Sequence, residues 1–388
     1  MLIRKFLSTD SIAQIHSDRL KLKILEEITR QGPLTFARYM NLALYSPGLG
    51  YYSAGAYKFG VSGDFVTAPE ISPLFSECIG RQCYQILQDL NGGNILELGA
   101  GTGMMAVGIL KELKNNRCLP HCYYILEVSA DLQDRQKTFL RKELPELVDS
   151  IVWINQLPTN FVGIIVGNEV IDALPVHKFK ILNNVIKEIY VDNEKEKFVW
   201  KINDPSSFYL IQQIKNLGIN FPTDYESEIN LLLRPWIASL ADALKQGLIL
   251  LIDYGFPRHE YYHPNRNRGT IASHYRHYSH FDPLILPGIQ DISVHVDFTA
   301  VAEAAAACHQ LSVAGFIHQA GFLLNCGLTS CMTSLKNVVE HYQIAQQIKK
   351  LTLPTEMGEL FKVIALTRNY HSSLLGFSNG NQIGRLSL

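Results

Sequence analysis

Four acidic residues and one glycine run hold the clearest chemistry in this 388-residue chain. Glu97 lies within an apolar stretch, Asn94-Ile95-Leu96-Glu97-Leu98, that leads directly into Gly99-Ala100-Gly101-Thr102-Gly103. Glycine permits tight turning and close approach of a ligand to the backbone. A helix-compatible segment, Met104 to Leu113, follows, and the free N–H groups of a helix start suit an anion. This pattern points to a nucleotide-type site at the end of a strand. Gly101-Thr102-Gly103-Met104-Met105-Ala106 fits the dinucleotide pattern loosely. Two acids favour S-adenosyl-L-methionine (SAM) instead. Glu97, two residues before Gly99, can face the cationic amino group of a methionine moiety, whereas it would repel a pyrophosphate. Glu127 ends the next apolar run, where a carboxylate can accept both ribose hydroxyls. The bland reading is a tight strand–helix turn without a ligand.

A second pair of acids, Glu169 and Asp172, follows an apolar run and is separated by three positions. On a helical turn both would point the same way. Paired carboxylates match a guanidinium, which is planar and presents paired N–H donors. They could draw its charge away from one nitrogen and accept the released proton. The plainer assignment makes Asp172 a helix cap and Glu169 a loop acid. Asn168 could bind the cofactor or the acceptor. Tyr254, in Asp253-Tyr254-Gly255 at the end of another apolar run, could line the acceptor channel or simply pack. The segment from His259 to His280 has five histidines, but Pro257, Pro264 and Gly269 argue against a helix that would gather them. No metal is expected. Arg266, Arg268 and Arg276 make that segment locally basic, as a partner surface or a solvated loop would be.

The elements that position these groups follow from periodicity. Helices are expected over Asp18 to Arg30, Phe36 to Leu44 with Thr35 as N-cap, Ser72 to Leu90, Asp131 to Leu144, Tyr225 to Gln246, Phe298 to His309 and Thr333 to Lys350. Strands are expected over Ile95–Leu98, His121–Glu127, Ile151–Ile154, Phe161–Gly167, Gly247–Asp253, Leu311–Ile317 and Phe361–Thr367. Apolar runs separated by helices indicate an α/β fold with a mostly parallel sheet covered on both faces. Tyr45 to Pro73 and Asp253 to Asp297 read as long loops. Lys178 to Pro222 reads as an insertion with short strands at Phe179–Ile181 and Ile186–Val191.

Composition narrows the function. The chain is 47% hydrophobic, enough for a large core. Its 35 basic and 36 acidic residues give a net charge of −1, so no bulk attraction to nucleic acid or anionic membrane is expected. No apolar run reaches the roughly 18 residues of a membrane span. Met1 to Leu7 is basic and apolar but shorter than a secretory signal. Cytoplasm is the expected compartment, or the mitochondrial matrix in a eukaryote. Seven cysteines without a Cys-x-x-Cys pair read as reduced thiols.

Longer segments resemble one family. Gly63-Asp64-Phe65-Val66-Thr67-Ala68-Pro69-Glu70-Ile71-Ser72 is similar to the upstream loop of the MidA family, that of a mitochondrial complex I assembly factor that methylates arginine. Gly167-Asn168-Glu169-Val170-Ile171-Asp172-Ala173-Leu174-Pro175-Val176, Asp253-Tyr254-Gly255, Asp282-Pro283-Leu284, Pro287 to Ser293, His295-Val296-Asp297-Phe298 and Met357-Gly358 match in the same order. The matches run from about Gly32 to Arg368. Ala100 departs from a common proline, which bears on loop stiffness more than on chemistry.

The resemblance implies a class I SAM-dependent methyltransferase. Its fold would be Rossmann-like, with a seven-stranded, mostly parallel sheet. Residues 1–90 would form an N-terminal helical extension and a cofactor-covering loop, residues 91–177 and 223–388 the core, and residues 178–222 an inserted substrate-side α+β subdomain. Thr67, Pro69 and Glu70 would close over the cofactor. His277 and Asp291 would shape the substrate site. The acceptor would be arginine in a protein partner, by analogy a respiratory complex I subunit, and a homodimer is compatible with the family and the insertion. Three alternatives are a methyltransferase with another acceptor, a SAM-binding assembly chaperone with little catalysis, and an NAD-dependent oxidoreductase.

Overall fold

The computed structural model describes residues 11–54, 67–330 and 337–386. The beginning of the chain, the Gly63–Val66 part of the upstream motif and the expected helix start at Thr333 lie outside the described residues. Strands in chain order are β1 (Leu34–Thr35), β2 (Asn94–Leu98), β3 (Tyr123–Leu126), β4 (Ile151–Ile154), β5 (Phe161–Asn168), β6 (His177–Leu182), β7 (Val185–Glu194), β8 (Lys197–Asn203), β9 (Glu226–Ile229), β10 (Leu244–Phe256), β11 (Ala272–Tyr275), β12 (Tyr278–His280), β13 (Asp291–Ser293), β14 (Val296–Asp297), β15 (Ser312–His318) and β16 (Phe361–Arg368).

The main sheet is mixed and has eight strands. Seven follow the order β15-β16-β10-β5-β2-β3-β4, and β14 pairs with β10. Within that path only the β16 pairings are antiparallel. Alternate residues of the same strands separate into two cores. Ile95, Ile164, Val166, Leu248, Leu250 and Val363 enter one. Leu96, Ile165, Ile249, Leu251 and Ile364 enter the other. Side chains alternate between faces along a strand, so these runs are apolar throughout because both faces are covered.

Local signals set the flanking helices. Phe36–Tyr45 begins at Thr35, whose hydroxyl accepts the Arg38 N–H. Pro73–Asp89 starts at Ser72, which caps the Leu74 N–H. Chain order reverses at β2: β3 and β4 continue to one side, β5 and β10 to the other. Such a switch point leaves a crevice outside the C-terminal strand ends.

Three expectations are corrected. Tyr225 to Gln246 does not form one helix: β9 occupies Glu226–Ile229, and the helix is confined to Leu233–Ala243. Glu226 and Glu228 stand opposite Lys180 and Lys178 on β6, and such cross-strand charge pairs stabilise a sheet. The segment from Asp253 to Asp297 is not simply a loop, because it contains a small sheet in the order β12-β11-β13. The five-stranded second sheet draws on the N-terminal region as well: β1 pairs with β7, beside β6, β8 and β9. Among the described residues, no helix is long and apolar enough to cross a membrane.

Gly163 sits where three strands approach. It faces Asn94 on β2 and Gly247 on β10. Its φ is 138°, and a Cβ there would lie 1.9 Å from the Asn94 carbonyl oxygen. Gly163→Ala is expected to cost about 2–4 kcal/mol by urea unfolding, from backbone strain and overpacking together. A loss below about 0.5 kcal/mol would refute this placement.

Candidate active site

A cavity of about 1160 Å³ opens at the C-terminal ends of β2, β3, β5 and β10. Small-molecule sites commonly span about 300–1,000 Å³, so this one has room beyond a single ligand. Its wall includes Glu97, Gly99, Gly101, Glu127, Asn168, Glu169, Asp172, Tyr254 and Asp291. Thr67, Pro69 and Glu70 line it from the N-terminal side.

Glu97 is buried within β2, and its Oε2 accepts the Tyr123 hydroxyl at 2.6 Å. Burial pushes its pKa up to about 7, despite that hydrogen bond. Gly99, Gly101 and Gly103 have φ of 64°, 53° and 87°. A Cβ on Gly101 would meet nothing within 4 Å, so the left-handed backbone, not crowding, calls for glycine there. Gly103 is the N-cap of the helix Met104–Asn115 and faces Phe139 and Leu140. It shapes the loop without lining the cavity.

Glu127 follows β3. Its carboxylate accepts the Ser129 N–H at 2.9 Å and the Gln136 amide at 3.2 Å. Gln136 also donates to the Gly101 carbonyl and accepts the Trp153 indole N–H. This buried amide ties the glycine loop to the second acid. It lies mid-helix among charged neighbours, and no spacing rule singles it out.

The turn after β5 brings the second pair of acids together. Asp253, buried at the end of β10, accepts the N–H groups of Ile171 and Asp172 at 2.8 and 3.2 Å. Glu169 has φ of 53° and donates its N–H to the Ile252 carbonyl. Left-handed backbone is costly for a glutamate and tends to persist at functional sites. Burial pushes the Glu169 pKa up to about 8, with Asp172 adding repulsion and Asn168 opposing it. Asp172 is also pushed up by burial, although the Tyr254 hydroxyl donates to its Oδ2 at 2.6 Å. The Asn168 Oδ1 and Asp172 Oδ1 atoms are buried and have no hydrogen-bond partner among the described residues.

His277 is not on the wall, which corrects one expectation. It is exposed in the two-residue turn joining β11 and β12, where Arg276 and His277 both have positive φ. Such turns match the twist of a hairpin. His274, opposite Asp291 across β11 and β13, lines the cavity instead. Tyr45, Tyr52, Lys350 and Glu356 also line it; Glu356 stands beside the Met357-Gly358 segment, and residue type and spacing single out none of the four.

The switch point and the acid within its central strand define the class first: this is a SAM-dependent methyltransferase architecture. Residues 78–317 match the family described as "Putative S-adenosyl-L-methionine-dependent methyltransferase". The chain belongs to that family, and within it is MidA-like. A crystal structure of a Burkholderia thailandensis protein bound to S-adenosyl-homocysteine is 36% identical, with a TM-score of 0.92, over 96% of this chain and 98% of that one. Protein arginine methyltransferase NDUFAF7 of Danio rerio is 27% identical over 92% of this chain and 88% of its own. Its Homo sapiens counterpart is also 27% identical, over 88% and 82%. The cofactor is SAM. A buried acid, a left-handed glycine loop and a second strand-end acid fit its ammonium, its methionine chain and its ribose.

The raised acids make stability depend on pH. Folded Glu97 and Glu169 keep their protons to about 7 and 8, against 4.5 ordinarily. Their contribution is full below the unfolded value and is lost as pH rises through the folded values. Ligand-free protein should therefore lose on the order of 1–3 kcal/mol per group between about pH 5 and 9 in urea unfolding. The Glu97→Gln, Glu169→Gln variant should show a flatter profile, and an equally steep one would rule these groups out as the cause.

Proposed function

We propose that this protein methylates arginine in a protein partner. The carboxyl lining of the cavity carries the reading. Among the described residues, seven carboxyl side chains line it: Glu70, Glu97, Glu127, Glu169, Asp172, Asp291 and Glu356. Among the described lining residues Lys350 is the one lysine, and there is no arginine. The whole chain has a net charge of only −1, so carboxyl groups are concentrated here, and those that keep their protons in the empty cavity ionise when a cation enters. Such a lining gains its negative charge by meeting a cation and offers none of the cationic partners that a polyanionic acceptor needs. The names of the Danio rerio and Homo sapiens relatives, protein arginine methyltransferases, agree with this reading.

When bound, SAM supplies a methyl group on a positively charged sulfur. Glu97 holds its amino group, directly or through water. Gly99, Gly101 and Gly103 bend the backbone around the methionine end, and Glu127 accepts the ribose hydroxyls. Thr67, Pro69 and Glu70 close the cavity from the N-terminal side. Tyr254 and Asp291 shape the acceptor end. There the Asn168 and Asp172 oxygens that lack partners receive guanidinium N–H groups. Entry of the cation favours the ionised form of Glu169 and Asp172. Two carboxylates on one edge hold positive charge away from the attacking nitrogen. As the N–C bond forms and the S–C bond breaks, Glu169 takes the proton leaving that nitrogen. Much of the rate then comes from holding the two centres in line and from fixed charge.

The family resemblance makes a core subunit of respiratory complex I the first partner to test. Purified protein, methyl-labelled SAM and lysate from a strain lacking the protein should yield label on arginine, mapped by mass spectrometry. Glu169→Gln should keep SAM binding and lose transfer by about 100-fold or more. Label on nucleic acid, lipid or another side chain would reject the arginine assignment, and unchanged turnover would remove Glu169 from it.

A further inference from the structure

Among the aromatic side chains on the wall that have no role above, two are tied to the acceptor end. Tyr45 ends the helix Phe36–Tyr45, Tyr52 lies on the turn beyond it, and both line the cavity. Their rings stack with centroids 5.5 Å apart and planes at 24°. The Tyr51 and Tyr52 rings meet in a T-shape, with centroids 5.1 Å apart and planes at 80°. The hydroxyls are committed elsewhere. Tyr45 donates to the Ala173 carbonyl at 3.0 Å, and Tyr52 donates to Asp291 Oδ1 at 2.9 Å. Burial, with the nearby charges of Asp172 and Asp291, pushes both phenol pKa values up, so both remain donors. The rings are therefore fixed beside the two acids and cannot swing away without breaking these bonds.

We propose that Tyr45 and Tyr52 form an aromatic wall that selects a planar guanidinium over a compact ammonium at the acceptor end of the cavity. The inference rests on the arginine reading and adds a selection rule to it. Carboxylates alone attract either cation. A guanidinium is weakly hydrated, stacks on aromatic faces and offers paired donors along its edge. An ammonium is strongly hydrated and must shed more water beside a ring. Asp291, held by Tyr52, and Asp172, held by Tyr254, present fixed acceptors to the same group. The N-terminal segment thus sets acceptor choice although it lies outside the main sheet.

The test uses the full-length protein with S-adenosyl-homocysteine and two probes, Nα-acetyl-arginine amide and Nα-acetyl-lysine amide, titrated by NMR. Wild type should bind the arginine probe about tenfold more tightly than the lysine probe. Tyr52→Leu should bring that ratio to within about twofold, and Tyr52→Phe, which keeps the ring, should retain most of it. Affinity for S-adenosyl-homocysteine serves as the folding control. Tyr45→Leu takes the place of Tyr52→Leu if the latter does not fold. A ratio unchanged in the leucine variant overturns the aromatic wall while leaving the arginine reading intact. Wild type that shows no preference, or prefers lysine, overturns both.

Discussion

A carboxylate inside a central strand is the constraint on which this molecule depends. Glu97 occupies β2 between apolar neighbours and is shielded from water on the wall of a cavity. An isolated charge there is costly, so the group either keeps its proton or meets a cation. Tyr123 gives it one hydrogen bond, which does not offset the burial. In the turn after β5, half-buried Glu169 and buried Asp172 are pushed up in the same direction. In the ligand-free protein these acids therefore keep their protons to higher pH, and a cationic ligand lets them ionise.

The sheet explains why these acids meet. Parallel strands end on one side, and the reversal at β2 opens a crevice between the turns after β2, β3 and β5. Asp253 on β10 then fixes the turn after β5 through two backbone N–H groups. Gln136 fixes the glycine loop to Glu127 from the helix Ala130–Glu143. Donor and acceptor ends of the cavity are thereby held by different long-range contacts on one rigid sheet, as two ligands that must meet in line require.

Much of this could be read from the chain because its signals are local. Apolar runs gave the central strands, caps such as Thr35 gave helix starts, and Glu97, Glu127, Glu169 and Asp172 stand at strand ends visible in the sequence. The remainder is set by pairing at a distance. β9 is a strand because Lys178 and Lys180 lie opposite its glutamates. His274, not His277, reaches the wall because a two-residue turn sets the register of β11 and β12. Tyr45 and Tyr52 reach it because the Tyr45 hydroxyl holds Ala173 and the Tyr52 hydroxyl holds Asp291, residues more than a hundred positions away.

The most direct measurement of the central claim is proton release on cofactor binding. Calorimetric titration of SAM into the protein near pH 6.5, in buffers of different ionisation enthalpy, reports the protons exchanged. With Glu97 holding its proton to about pH 7 in the empty site, binding of the cofactor's ammonium should expel a substantial fraction of one proton. The apparent enthalpy should vary with buffer accordingly, and Glu97→Gln should abolish that part of the variation. An enthalpy that is the same in every buffer would mean that the acid is already ionised, and would contradict the account.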